Sequence, residues 1–170
     1  MSGGVVHAVV GNPRPGGRTT TAAVAVADVL AEIGGGLTTT VVELGEHTST
    51  MFDWGDEALG ALVGDITAGD ALVVASPTYK ASFTGLLKSF LDRFGAGSLR
   101  GVVTVPVMLG GSELHALAVE TQLKPVLAEL GATMPTDGIY VVDSRMDDLD
   151  DVLAAWRGAH EVVLTQLLTR

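Results

Sequence analysis

Cysteine is absent from the 170 residues. That removes disulfides, thiolate nucleophiles and thiolate metal ligands together. Positive charge is scarce as well: 10 Lys and Arg stand against 20 Asp and Glu, for a formal net charge of −10. A surface of that sign repels phosphate backbones and anionic lipid, so neither nucleic acid nor a membrane surface is expected as a partner. No run approaches the ~20 apolar residues of a membrane helix. The opening Met1-Ser2-Gly3-Gly4-Val5-Val6-His7 has neither the basic flank nor the apolar stretch of a secretion signal, and a soluble cytoplasmic protein is the expectation. Aromatic residues make up only 5%. What is present is ample aliphatic material, 47% hydrophobic residues with a mean hydropathy of +0.41. The length suits one core, and with no repeat or linker to divide it the chain reads as a single domain over residues 1–170.

Short apolar runs alternate with stretches of helical period, which argues for βαβ units around a parallel sheet covered on both faces. Val5 to Val10 reads as the first strand. Val26, Val29, Leu30 and Ile33 then share one helical face, and Gly34-Gly35-Gly36 stops that helix. Thr38 to Leu44 is a second strand, followed by a long loop holding Met51, Phe52 and Trp54 and a helix from about Asp56 to Ile66. Asp70 to Ala75 is a third, buried strand ending at Ser76-Pro77. A helix opening near Thr84 carries Leu87, Phe90, Leu91 and Phe94 on one stripe, with Leu86 beside it. Val102 to Leu109 is the fourth strand, although Pro106 cannot donate to a ladder. Ser112 is the candidate N-cap of a helix to about Leu130, bent by Pro125. Ile139 to Val142 forms the fifth strand, and Val152, Trp156, Ala159, Val163 and Leu167 mark a closing helix. Right-handed crossovers leave two common doubly wound parallel sheets with helices on both faces for five such units, one of them the flavodoxin-like order 2-1-3-4-5.

In that order the loops after strands 1, 3 and 4 converge on one crevice. The first reads Gly11-Asn12-Pro13-Arg14-Pro15-Gly16-Gly17-Arg18-Thr19-Thr20-Thr21. Free N–H groups at a helix start, three threonine hydroxyls and two arginines supply donors and positive charge for a phosphate. An ordinary Gly/Pro turn would not gather two of the few basic residues. Neither G-x-x-x-x-G-K-[ST] nor G-x-G-x-x-G occurs here, which disfavours a P-loop NTPase and a Rossmann dehydrogenase. A monophosphate such as that of FMN fits instead. The second loop, Ser76 to Phe83, offers Tyr79 and Lys80 as wall and polar edge for a planar ring. The third, Gly110-Gly111-Ser112-Glu113, leaves room for a flat ligand, although such a turn alone is an ordinary βα connection.

Gly11-Asn12-Pro13-Arg14-Pro15 with Arg18-Thr19, the segment Ser76-Pro77-Thr78-Tyr79-Lys80-Ala81-Ser82-Phe83-Thr84-Gly85-Leu86-Leu87-Lys88, and Gly110-Gly111-Ser112 through Leu123-Lys124-Pro125-Val126-Leu127 together resemble the NADPH-dependent FMN reductases of the flavodoxin-like superfamily, closest to the alkanesulfonate type. The resemblance runs over nearly the whole chain. It implies an oxidoreductase with FMN in the crevice and NADPH or NADH as hydride donor. Asn12, Arg14, Arg18, Thr19 and Thr20 would hold the phosphate, Pro77, Thr78, Tyr79 and Lys80 would line the ring edge, and Gly110, Gly111 and Ser112 would lie beneath the ring. It also implies a homodimer or homotetramer joined through the helix after the second loop. A flavin-dependent monooxygenase is the partner that such reductases supply. Sulfonate-type members carry an aromatic residue or histidine where Thr121 stands, at a local bulge linked to release of the flavin. Thr121 is a departure that opens the alternative of FMN held as a prosthetic group in a quinone or azo-type reductase.

Hydride transfer to flavin N5 needs no side-chain nucleophile. Lys80 is the one candidate catalytic residue, stabilising negative charge on the reduced ring. A non-enzymatic flavodoxin-like electron carrier would share fold and acidity, and a phosphate-binding regulatory module would share the first loop. The low aromatic content favours an open reductase site over a carrier's aromatic sandwich. His7, His47, His115 and His160 are too scattered for a metal site. Asp147, Asp148, Asp150 and Asp151 suit the N-terminus of the closing helix better than a cation.

Overall fold

A computed structural model describes residues 4–169. The strands are β1 (Val5–Val10), β2 (Thr38–Glu43), β3 (Ala71–Pro77), β4 (Val103–Gly110) and β5 (Ile139–Val142). The helices are α1 (Arg18–Ile33), α2 (Glu57–Ala68), α3 (Gly85–Leu91), α4 (Lys124–Glu129) and α5 (Leu149–Leu168). The sheet is parallel throughout, in the order β2-β1-β3-β4-β5, so the expected doubly wound, flavodoxin-like architecture is what the chain adopts.

Side chains alternate across the sheet and divide the interior into two layers. Val6, Ala8 and Val10 of β1, with Ala71, Val73 and Ala75 of β3, pack against α1 and α5. Val9, Leu72 and Val74 face the opposite layer with Leu87, Phe90 and Leu91 of α3. Both faces are covered, which is why β1 and β3 are apolar runs rather than alternating ones. Ala22, Ala23, Ala27 and Ala31 line the buried face of α1 and let it lie close to the strands. At its end Gly36 and Leu37 both donate to Ala31 O, with Gly35 and Gly36 at φ +80 and +96. That left-handed pair is where glycine is needed.

The chain departs from the periodicity reading in four places. Leu44 begins a 3₁₀ turn rather than ending β2. β3 runs through Pro77, which stays in register with Leu109. The stretch after Ser112 is not one bent helix. It is a 3₁₀ turn (Glu113–His115), then a π turn (Val119–Leu123) that runs directly into α4, with Pro125, which has no N–H to donate, just after Lys124 N donates to Val119 O. Ser112 makes no side-chain capping bond there. The buried row of α5 is Leu149, Leu153, Trp156, Leu164 and Leu168, so only Trp156 is shared with the expected stripe, and Ala159 is exposed.

Pro106 sits inside β4, opposite Val74 of β3. Thr104 N donates to Thr133 O on the β5 side, and by the two-residue alternation of a strand the nitrogen of Pro106 faces that same side. The β5 ladder starts only at the pair Val107–Ile139, so Pro106 falls in a gap where no ladder donor is required.

Candidate functional site

The carboxyl ends of β1, β3 and β4 are tied together by backbone and hydroxyl contacts. Gly11 N donates to Ala75 O at 2.7 Å, which closes the start of the first loop onto β3. Thr84, buried at the N-cap of α3, donates its hydroxyl to Gly11 O at 2.6 Å and accepts from Leu87 N at 3.1 Å. Ser76 Oγ accepts from Thr84 N at 3.0 Å. A Cβ on Gly11 would stand 2.6 Å from Leu87 Cβ, so the first loop and α3 meet at a spacing that only glycine allows. Thr78 N donates to Leu109 O at 2.6 Å and joins the second loop to the third.

The first loop is ordered by its own polar groups. Asn12 Oδ1 accepts from Arg14 N at 3.0 Å in an Asx turn, and Asn12 Nδ2 donates to Thr19 Oγ1 at 3.3 Å. Thr19 is 3% exposed and keeps its own hydroxyl proton to give. Gly16 adopts φ +71, and Gly17 is the N-cap of α1 without any side-chain cap. The N–H groups of the first turn of α1 therefore point out of the helix beside Arg14 and Arg18. The Thr20 hydroxyl is not free: it donates to Glu43 Oε1 at 2.6 Å, and Gly16 N donates to the same oxygen at 3.0 Å.

In the second loop Tyr79 and Ser82 exchange backbone hydrogen bonds of 2.8 and 3.2 Å around Lys80 and Ala81. Lys80 and Ala81 both hold positive φ, 52° and 64°. This is a two-residue hairpin turn built without glycine, a strain of the kind concentrated at functional sites. It holds Tyr79, 50% exposed, and Lys80 at the mouth of the crevice, while Pro77 and Thr78 are half-buried below them. Thr78 Oγ1 is buried beside the Tyr140 hydroxyl, its hydrogen-bonding neighbour.

Tyr140 of β5 was not singled out by the sequence, because nothing local marks it. Its hydroxyl donates to Ser112 O at 2.8 Å and so fixes the Gly110-Gly111-Ser112 turn from below. A Cβ on Gly110 would collide with that hydroxyl, which explains the glycine. Burial raises the Tyr140 pKa above its ordinary value, and the phenol stays protonated as the donor. Gly111 and Glu113 are exposed.

The charges at this end are unbalanced. Lys88, Lys124, Arg145 and Arg157 pair with carboxylates, and Arg93 Nη2 donates to the carbonyls of Met51 and Asp53. The side chains of Arg14, Arg18 and Lys80 make no ion pair among the described residues. Arg14 and Arg18 on the first loop and Lys80 on the second thus place positive charge at the carboxyl end of the sheet in a protein of net charge −10, where it can draw an anion.

Other candidate residues lie apart from this site. His7 is buried in β1 near its amino end, with Nδ1 2.7 Å from Thr40 Oγ1; burial pushes its pKa down against the opposing pull of Asp65. It lines a cavity of about 870 Å³ with Gly4, Thr40 and Asp65 at the wrong ends of the strands for a ligand of this fold. His160 packs on Trp156 and lies 3.6 Å from Asp137. In the loop after β2, Met51 is buried, whereas Phe52 and Trp54 are 76% and 66% exposed, with Arg93 stacked 5.2 Å above the Trp54 ring.

A family model described as NADPH-dependent FMN reductase matches residues 5–147. An FMN reductase (NADPH) of Escherichia coli (strain K12) is 40% identical over 91 residues, 54% of this chain and 48% of that protein. The NADH-dependent FMN reductase SfnF of Pseudomonas putida is 43% identical over 82 residues, 48% of this chain and 44% of its own length. The chain thus spans about half the length of the curated relatives it matches. Among solved structures, the apo form of the NADH:FMN oxidoreductase EMOB superposes with a TM-score of 0.78 at 25% identity, covering 92% of this chain and 89% of that one. An oxidoreductase from Corynebacterium diphtheriae gives 0.83 at 23% identity over 99% and 98% of the two chains, a likeness of fold.

Proposed function

This chain belongs to the NADPH-dependent FMN reductase family, and from that premise we propose that it is a flavin reductase whose one domain binds FMN across the three joined loops and takes NADPH or NADH as reductant. The observation that supports the reading is the joining of three strand ends through Gly11, Thr78 and Thr84, with Arg14, Arg18 and Lys80 on those loops making no ion pair among the described residues. The residues present fit the group. The first turn of α1 with Asn12, Arg14, Arg18 and Thr19 suits a phosphate.

The chemistry supplied there is hydride acceptance from nicotinamide C4 at flavin N5, for which a protein provides position and charge. In this reading Pro77, Thr78 and Tyr79 wall the ring, and Gly110, Gly111 and Ser112 keep its underside clear. Lys80, on the strained turn, would offer its ammonium to negative charge on the ring that Pro77, Thr78 and Tyr79 would hold. Replacing Lys80 with Met should lower kcat roughly ten-fold, less than the ~10²–10³-fold of a buried charge-stabilising donor because Lys80 is exposed; unchanged kinetics would remove that role. Electrons would leave by way of free reduced flavin to a partner such as a monooxygenase. The π turn at Val119–Leu123 supports that reading, since the bulge is present even though Thr121 stands where an aromatic residue or histidine is expected.

The test is direct. Purified protein mixed with FMN and NADPH should consume nicotinamide absorbance at a rate that depends on both. A non-enzymatic carrier would hold flavin and leave the nicotinamide untouched, and a phosphate-binding module would retain no flavin.

A further inference from the structure

Glu43 stands at the carboxyl end of β2, paired in register with Val10 of β1. The crevice lies on the other side of β1, toward β3, so Glu43 approaches the first loop from its outer flank. One of its oxygens, Oε1, accepts from two groups of that loop at once, Gly16 N at 3.0 Å and the Thr20 hydroxyl at 2.6 Å. The other, Oε2, is buried with no partner among the described residues. A carboxylate with an unsatisfied buried oxygen is a poor device for stability alone.

The segment that follows makes the same contact. A Cβ on Gly45 would stand 2.9 Å from Asn12 O, Pro13 O and Pro15 Cδ, so the chain leaving β2 lies against the back of the loop. Together these contacts hold Gly16 and Thr20 on the outer flank. Asn12, Thr19 and the outward N–H groups of the first turn of α1 are left as the donors of the inner flank.

We propose that Glu43 is a positioning residue for anion binding: by taking the Gly16 N–H and the Thr20 hydroxyl from behind, it fixes the loop so that its remaining donors converge on a phosphate. The inference rests on the flavin reading above and refines it, because it moves Thr20 from the phosphate to the brace. It also assigns a role to a residue 27 positions from the loop it organises. The effect acts on the phosphate-dependent part of ligand binding only. FMN and riboflavin differ by that phosphate and share the ring, so their affinity ratio isolates the loop.

The experiment titrates wild-type protein and variants with FMN and with riboflavin, following quenching of flavin fluorescence. Wild-type protein should prefer FMN. Glu43→Ala should weaken FMN roughly ten-fold, the effect of losing hydrogen bonds to a charged group, while riboflavin binding stays put. Glu43→Gln, which keeps an acceptor oxygen in place, should restore most of the preference. Thr20→Val should reduce the FMN preference in the wild-type background and add nothing in the Glu43→Ala background, because both changes break one contact. An unchanged FMN-to-riboflavin ratio in Glu43→Ala overturns the proposal. So does a full further loss on adding Thr20→Val, which would put that hydroxyl on the phosphate itself. Should Glu43→Ala not fold, Glu43→Gln and Thr20→Val carry the same comparison: loss of the preference in Glu43→Gln, or its retention in Thr20→Val, overturns the brace. Wild-type protein that binds neither flavin, or binds both equally, instead strikes the flavin reading itself.

Discussion

Thr84 links two loops that are 73 positions apart in the chain, and it does so with a single buried hydroxyl. The same oxygen caps α3 and holds Gly11 O, so Thr84→Val keeps the shape and removes both bonds. The expected loss is about 2 kcal/mol, combining a helix cap with an unsatisfied buried carbonyl. Urea unfolding measures it, and a midpoint equal to wild type would mean that the two loops are held by packing alone. Arg14 and Arg18 are exposed and unpaired, and their truncation tests a different quantity. Arg14→Ala and Arg18→Ala should each leave unfolding unchanged and weaken FMN by roughly ten-fold, as loss of one charged hydrogen bond does. Unchanged affinity in both would reduce the first loop to a connection.

At the scale of elements, the turn between Tyr79 and Ser82 holds the most strain. Lys80 and Ala81 are both left-handed without being glycine, and each such residue costs roughly 1–2 kcal/mol. Ala81→Gly should relieve part of that cost, offset by the extra freedom of glycine in the unfolded chain, for a net gain of about 0.5–1 kcal/mol. The measurement is the urea midpoint read beside the reductase rate. A gain in stability with a fall in rate would identify the strain as part of the site, and a loss of stability would mean that the turn is not strained. None of this strain could be read from Tyr79-Lys80-Ala81-Ser82, because β-turn geometry without glycine leaves no local mark. The strands were legible, since a run such as Val5 to Val10 buried on both faces has no polar residue to confuse its limits beyond His7. The crevice was legible too, because strand order decides which loops meet. The segment from Ser112 to Leu130 was not. A switch from i→i−4 to i→i−5 bonding, as at Lys124 N to Val119 O, keeps the same apolar residues inward, so periodicity cannot report it. Glu43 escaped for another reason: its partners are set by the β1–β2 register, and an acidic residue closing a strand looks solvated.

The whole molecule is strongly acidic, and two of its exposed apolar groups adjoin one another. Phe52 and Trp54 project from the loop after β2, and that loop is pinned to the end of α3 by Arg93. A hollow beside them is lined by Met51, Phe52, Gly85, Leu86 and Ser89, so the loop and the outer face of α3 make one apolar surface. Solvated monomers rarely expose adjoining aromatic groups of this size, and a second copy of this chain seated on that surface would cover them. Sedimentation at micromolar concentration should give a mass of at least twice 17.4 kDa. Phe52→Asp puts a charge at a largely solvated position of the free chain, so it should leave the monomer fold intact while burial under a second copy becomes costly. The variant should sediment as a monomer with an unchanged circular dichroism spectrum. If wild-type protein is already monomeric, or if Phe52→Asp assembles as wild type does, the two copies do not meet on this face.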